Sequence, residues 1–139
     1  MKHFWLLLTG LFFTAALAAQ NAAADSAFVR DNFDKREVMI PMRDGIQLFT
    51  AIYTPKDRSK KYPILIKRTP YSCSPYGTAS YLTTFQNMNL ARAGYIFVFQ
   101  DVRGKYMSEG DFVDIRPYNP ATAKKPKTSS KVPTDEASD

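Results

Sequence analysis

The chain has 139 residues, of which 19 are Lys or Arg and 13 are Asp or Glu, for a formal net charge of +6; the length leaves room for one domain at about 100–200 residues per domain. A single cysteine, Cys73, excludes an intramolecular disulfide, and a single histidine, His3, restricts acid–base chemistry near neutral pH. The basic residues lie among acidic ones. The one cluster, Lys124, Lys125, Lys127 and Lys131, sits in a Pro/Ser/Thr-rich tail balanced by Asp135, Glu136 and Asp139, so a solvated segment is expected there and no nucleic-acid partner.

Met1-Lys2-His3 is positively charged and Phe4 to Leu17 is almost continuously apolar. Ala16-Leu17-Ala18 and Ala22-Ala23-Ala24 both offer small-x-small cleavage patterns. These are the three parts of a secretory signal peptide, placed at residues 1–24 with cleavage near 18–24. The apolar run, about 14 residues, falls short of the roughly 20 that span a bilayer. The expectation is a secreted or periplasmic protein without a stable membrane anchor. Cleavage would remove Lys2, His3 and Trp5, leaving 18 basic against 13 acidic residues, a net charge of +5, and no histidine or tryptophan.

Residues 25–35 read as a polar leader. From Arg36 to Met42, and again from Ile46 to Thr54, apolar and polar residues alternate, and Arg43-Asp44-Gly45 joins them. A short connector holding Asp-Gly between two alternating runs predicts a β-hairpin, because Gly accepts the positive φ of the turn. After a polar loop, Pro55 to Lys61, the stretch Tyr62 to Lys67 is apolar on both faces in its middle, as for a central strand covered on both sides. Ala79 to Ala93 is long enough for a helix, with Leu82, Phe85 and Ala93 near one face and Gly94 in the place of a C-cap. Tyr95 to Gln100 then predicts a second buried strand.

Strand, helix and strand with short connections make a βαβ unit with parallel strands. A hairpin feeding such a unit gives an α/β domain with a mixed sheet, here residues 36–117. Ligands of open α/β sheets bind at the carboxyl ends of the strands, which lie at Arg68 to Ser74 and Asp101 to Gly110. Residues 118–139 read as a Pro/Lys/Ser-rich linker followed, from Thr134, by the start of a helix that is cut short. If Tyr62 to Lys67 is an interior strand it needs a partner on both sides, so an incomplete domain is expected.

Tyr71 follows the first of these strands and could donate a hydrogen bond to an oxyanion. It could equally pack at the sheet's rim with its hydroxyl in water, and position alone favours packing. Asp101 and Arg103 leave the second strand end together and should brace its loop, with Gly104 and Gly110 permitting sharp turns. The acidic residues Asp101, Glu109, Asp111 and Asp114 lack the alternating spacing of a calcium loop, so no metal is expected. Cys73 has no histidine to activate it in the mature chain and reads as a buried or semi-buried free thiol. No Gly-rich phosphate loop, Cys/His zinc pattern or Gly-x-Ser-x-Gly elbow occurs.

Taken together, "REVMIPMRDGIQLFTAIYTPKD", "YPILIKRTPYS" and "AGYIFVFQDVRGKYMSEGDFVDIRP" resemble the amino-terminal part of the X-Pro dipeptidyl-peptidase-like serine hydrolases, the group of cocaine esterases, α-amino-acid ester hydrolases and glutaryl-cephalosporin acylases. The likeness runs from Arg36 to about Pro117 and is strongest toward the α-amino-acid ester hydrolases. It implies the amino-terminal part of an α/β-hydrolase fold, a Ser–Asp–His triad that forms and hydrolyses an acyl-enzyme, an ester or peptide-like substrate, and no cofactor. It also reverses the reading of Tyr71, which matches the tyrosine whose phenol completes the family's oxyanion hole. Asp101, Arg103 and Gly104 match the family's Asp-x-Arg-Gly and are expected to shape the loop beside the site. No triad serine, aspartate or histidine has a counterpart in this sequence. The chain is therefore expected to be an amino-terminal fragment, inactive alone. The alternative is a small secreted binding or structural module without catalysis.

Overall fold

A computed structural model describes residues 20–114. Residues 20–32 are helical (α1), and strands β1 (Phe33–Pro41), β2 (Gln47–Pro55) and β3 (Ile64–Thr69), helix α2 (Met88–Ala93) and strand β4 (Ile96–Asp101) follow. The four strands form one mixed sheet in the order β1-β2-β4-β3. The hairpin pairs Phe33 with Pro55 through to Pro41 with Gln47. Its turn is closed by Gly45 N–H donating to the Met42 carbonyl at 3.0 Å, with Gly45 at φ +86°. β2 runs antiparallel to β4, and β3 runs parallel to it from Ile64 opposite Ile96 to Thr69 opposite Asp101. The two parallel strands thus end level, and their outgoing loops leave the sheet side by side.

Alternation puts Phe33, Phe49, Ala51, Tyr53, Phe97 and Phe99 on one face of the sheet. That face is covered by Val29 of α1, Ala91 of α2 and Phe85 from the connection between β3 and α2, which join it in a single core. Phe85 stacks on Phe97 at 4.2 Å between centroids and 4° between planes, and meets Phe33 and Tyr53 edge-on. Such pairs each add about 0.5–1.5 kcal/mol beyond the area they bury, so this aromatic cluster is the main fastening between sheet and connection.

Several expectations change in the structure. The polar leader, residues 25–35, supplies the end of α1 and the start of β1, with Val29 and Phe33 fully buried. Its small and charged residues conceal a two-residue apolar contact that composition does not show. The helix expected from Ala79 is confined to Met88–Ala93, capped by Asn87, whose side chain accepts the N–H groups of Asn89 and Leu90, and ended by Gly94 in the left-handed region. The preceding residues spend their polar groups on tertiary partners: Leu82 N–H donates to the Tyr53 hydroxyl at 3.2 Å, and the Ser80 carbonyl accepts from Lys35 Nζ at 2.8 Å. Strand β3 is not central among the described residues, where it pairs only with β4. Its Ile64 and Ile66 are 64% and 59% exposed. The signal segment up to residue 19 and the tail from residue 115, including the expected linker and helix start, lie outside the described residues. No helix among the described residues is long and apolar enough to cross a membrane.

Candidate active site at the carboxyl edge of the parallel strands

The loop after β3 turns at once. Tyr71 N–H donates to Thr69 Oγ1 at 3.0 Å, and Ser72 takes a left-handed backbone with φ +74°, a conformation that costs a non-glycine residue about 1–3 kcal/mol and persists only where surroundings impose it. The surroundings are visible. Ser72 Oγ accepts from Ser74 N–H at 3.0 Å and lies 2.9 Å from the Tyr76 hydroxyl. Tyr71 itself points away from this network: it is 84% exposed, and its hydroxyl makes no hydrogen bond among the described residues.

The imposing group is Asp101, at the end of β4 and fully buried. One carboxylate oxygen accepts Cys73 N–H at 2.9 Å, and the other accepts the Tyr76 hydroxyl at 2.8 Å and Met107 N–H at 3.4 Å. The Asp101 carbonyl accepts Ser108 Oγ at 2.6 Å, and that oxygen in turn accepts Phe49 N–H. One side chain therefore ties the β3 loop to the β4 loop, and the neighbouring carbonyl ties the β4 loop to β2. Arg103, 4% exposed, extends the bracing to the hairpin turn through Asp44 at 2.7 Å. Gly104 lies at φ +67°, and a Cβ there would fall 2.1 Å from Phe112 N, so only glycine fits the crossing of the loop over itself.

A second pair of charged side chains holds the far half of the β3 loop. Lys35 of β1 donates to the carbonyls of Pro75, Gly77 and Ser80 at 2.6, 2.9 and 2.8 Å. Its ammonium pairs with Glu37 at 2.7 Å, and the other Glu37 oxygen accepts Gly77 N–H at 3.1 Å.

The electrostatics leave few reactive groups. Burial, reinforced by the Asp101 carboxylate, pushes the Cys73 thiol from 9.0 up to about 12, so it stays protonated and is a poor nucleophile. Burial likewise raises the Tyr76 hydroxyl to about 12, with Asp101 adding to the rise and the Ser72 hydrogen bond opposing it. Tyr53, beneath the loop, is raised to about 12 mainly by burial. Among the described residues no group of three or more His, Cys, Asp or Glu side chains could hold a metal ion.

The residues singled out in the sequence fall into one neighbourhood. Asp101, Arg103 and Gly104 form the floor, and Tyr71 stands on the loop they support. Sequence reasoning missed Tyr76, Lys35 and Glu37. Lys35 did carry a signal: it occupies the inward position two residues after Phe33 on a strand, where an apolar residue is the rule.

The family model for X-Pro dipeptidyl-peptidases (S15 family) matches residues 44–128, more than half of the chain. The cocaine esterase of Rhodococcus sp. (strain MB1 Bresler) is 40% identical over 77 residues, which cover 55% of this chain and 13% of the esterase. A solved α-amino acid ester hydrolase superposes with a TM-score of 0.53 at 44% identity, over 68% of this chain and 16% of that one. An aminopeptidase from a marine sediment archaeon, Thaumarchaeota archaeon, gives a TM-score of 0.50 at 40% identity, over 59% and 14% of the two chains. The chain thus spans about a sixth or less of the length of these relatives. With its mixed α/β sheet, its Asp-x-Arg-Gly loop and a family match that takes in β2, β3, β4 and that loop, the chain belongs to the X-Pro dipeptidyl-peptidase (S15) family of hydrolases.

Proposed function

We propose that this chain is the amino-terminal, oxyanion-stabilising piece of a secreted or periplasmic serine acyl hydrolase that cleaves ester or peptide-like amide bonds through an acyl-enzyme. One observation carries the reading: of the three tyrosines between β3 and α2, Tyr76 gives its hydroxyl to Asp101 and Tyr81 accepts Lys35 N–H at 3.2 Å, whereas Tyr71 offers its own to solvent at the carboxyl edge of the parallel strands. A phenol held there can donate to the oxygen of a tetrahedral intermediate as negative charge develops, and a single such donor is worth about 100–1000-fold in rate. The nucleophilic serine, the histidine that moves its proton and the supporting aspartate would come from sequence beyond these 139 residues, which contain no Gly-x-Ser-x-Gly and only His3. Residues 1–24 would direct export and then be removed.

Two constructions test this. The 139-residue chain alone should show no saturable turnover of p-nitrophenyl acetate. A hybrid in which the full chain replaces the matching segment of the α-amino acid ester hydrolase should hydrolyse its ester, and Tyr71→Phe should lower kcat about 100-fold with KM nearly unchanged. Saturable turnover by the chain alone would overturn the placement of the triad elsewhere, and a Tyr71→Phe hybrid as fast as its parent would overturn the role of Tyr71.

A further inference from the structure

From Pro70 to Asn87 the connection has neither helix nor strand, so its backbone groups must find partners outside regular structure. Its front half finds Asp101. Its rear half finds Lys35, whose side chain is fully buried and whose donors go to three carbonyls of the loop, those of Pro75, Gly77 and Ser80. An ammonium has three N–H groups, and three carbonyls account for all of them. Glu37 neutralises the charge and completes the clamp by accepting Gly77 N–H. Hydrogen bonds with an ionised partner are roughly twice as strong as neutral ones, and both members of the pair sit on a strand locked by the hairpin register, Lys35 opposite Tyr53 and Glu37 opposite Ala51.

We propose that Lys35, with Glu37, is a positioning residue for Tyr71: the pair pins the rear of the loop to β1 while Asp101 pins its front to β4, and the two anchors together fix where the phenol stands. This rests on Tyr71 acting as the oxyanion donor. A loop held at its front alone would pivot about Asp101, and a displacement of about 1 Å in a catalytic group can cost on the order of 100-fold in rate.

Two readouts test the proposal. In the full 139-residue chain, Lys35→Met should speed amide hydrogen exchange in residues 73–80 at least tenfold while Tyr53 and Val98, in the middle of the sheet, keep their protection. Exchange in 73–80 at the parent rate would overturn it. In the hybrid hydrolase, Lys35→Met should lower kcat about tenfold at near-constant KM, Lys35→Arg should restore part of the loss, and Lys35→Met combined with Tyr71→Phe should be no slower than Tyr71→Phe alone, because the lysine acts through the tyrosine. Multiplying losses in the double variant would overturn the proposal. Should Lys35→Met fail to fold, Glu37→Ala keeps the ammonium on its three carbonyls and removes its counter-ion together with the acceptor of Gly77 N–H. It should raise exchange at Gly77 severalfold, and an unchanged rate there would count against the clamp. A Tyr71→Phe hybrid as fast as its parent needs no Lys35 variant to be seen, and it would sink the oxyanion reading and this proposal together.

Discussion

The loops after β3 and β4 leave the sheet side by side yet are built in opposite ways. The β4 loop turns its functional groups inward: Asp101 is fully buried, Arg103 is 4% exposed, and Gly104 has no room for a Cβ. The β3 loop lacks such a centre of its own. Its polar backbone is satisfied by side chains from β1 and β4, and it carries the most exposed of the large hydrophobic residues among those described, Tyr71. The difference lies in where the support comes from: the loop that displays a side chain is anchored by buried charged groups of the neighbouring strands.

Breaking the brace should cost most. Asp101→Ala leaves Cys73 N–H and the Tyr76 hydroxyl without their acceptor, at about 1–3 kcal/mol each, so urea unfolding should show a loss of about 4 kcal/mol. Gly104→Ala should cost at least about 2 kcal/mol, because a methyl group meets backbone at 2.1 Å in a left-handed conformation; a Gly104→Ala chain of parental stability would show that the loop crosses itself less tightly than described. Alkaline pH probes the same cluster. Cys73 has its folded pKa raised above its ordinary 9.0 to about 12, so it favours the fold fully below pH 9 and loses that contribution as pH rises toward 12. Tyr53 and Tyr76, raised from 10.0 to about 12, join only above pH 10. Between pH 9 and 10 stability should therefore fall with a slope approaching about 1 kcal/mol per pH unit, and Cys73→Ala should flatten that slope. The displayed residue should matter least to stability: Tyr71→Phe should shift unfolding by no more than about 0.5 kcal/mol.

How much of this was legible in the sequence follows the same division. Features set by local chemistry could be read directly. Asp44-Gly45 marked the hairpin, the apolar runs gave β3 and β4 to within a residue or two, and Gly94 marked the end of α2. Features set by distant partners could not. Nothing local stops a helix at Ala79; it is the hydroxyl of Tyr53, the ammonium of Lys35 and the stacking of Phe85 on Phe97 that hold those residues in another shape. β3 and β4 have similar apolar sequences, and only the number of neighbouring strands separates the buried one from the exposed one. At the site, the Asp-x-Arg-Gly motif located the floor, and family resemblance drew attention to Tyr71. The tie between Asp101 and Tyr76 spans 25 positions and that between Lys35 and Gly77 spans 42, so neither leaves a local pattern to read.

Tyr71, at the sheet's carboxyl edge, is the group proposed to stabilise the oxyanion. The most direct measurement is the single-turnover acylation rate of the hybrid hydrolase with a p-nitrophenyl ester, followed by stopped-flow release of p-nitrophenol, for the parent and Tyr71→Phe. Acylation slowed about 100-fold, with substrate binding unchanged, is the predicted result; equal acylation rates would contradict the claim.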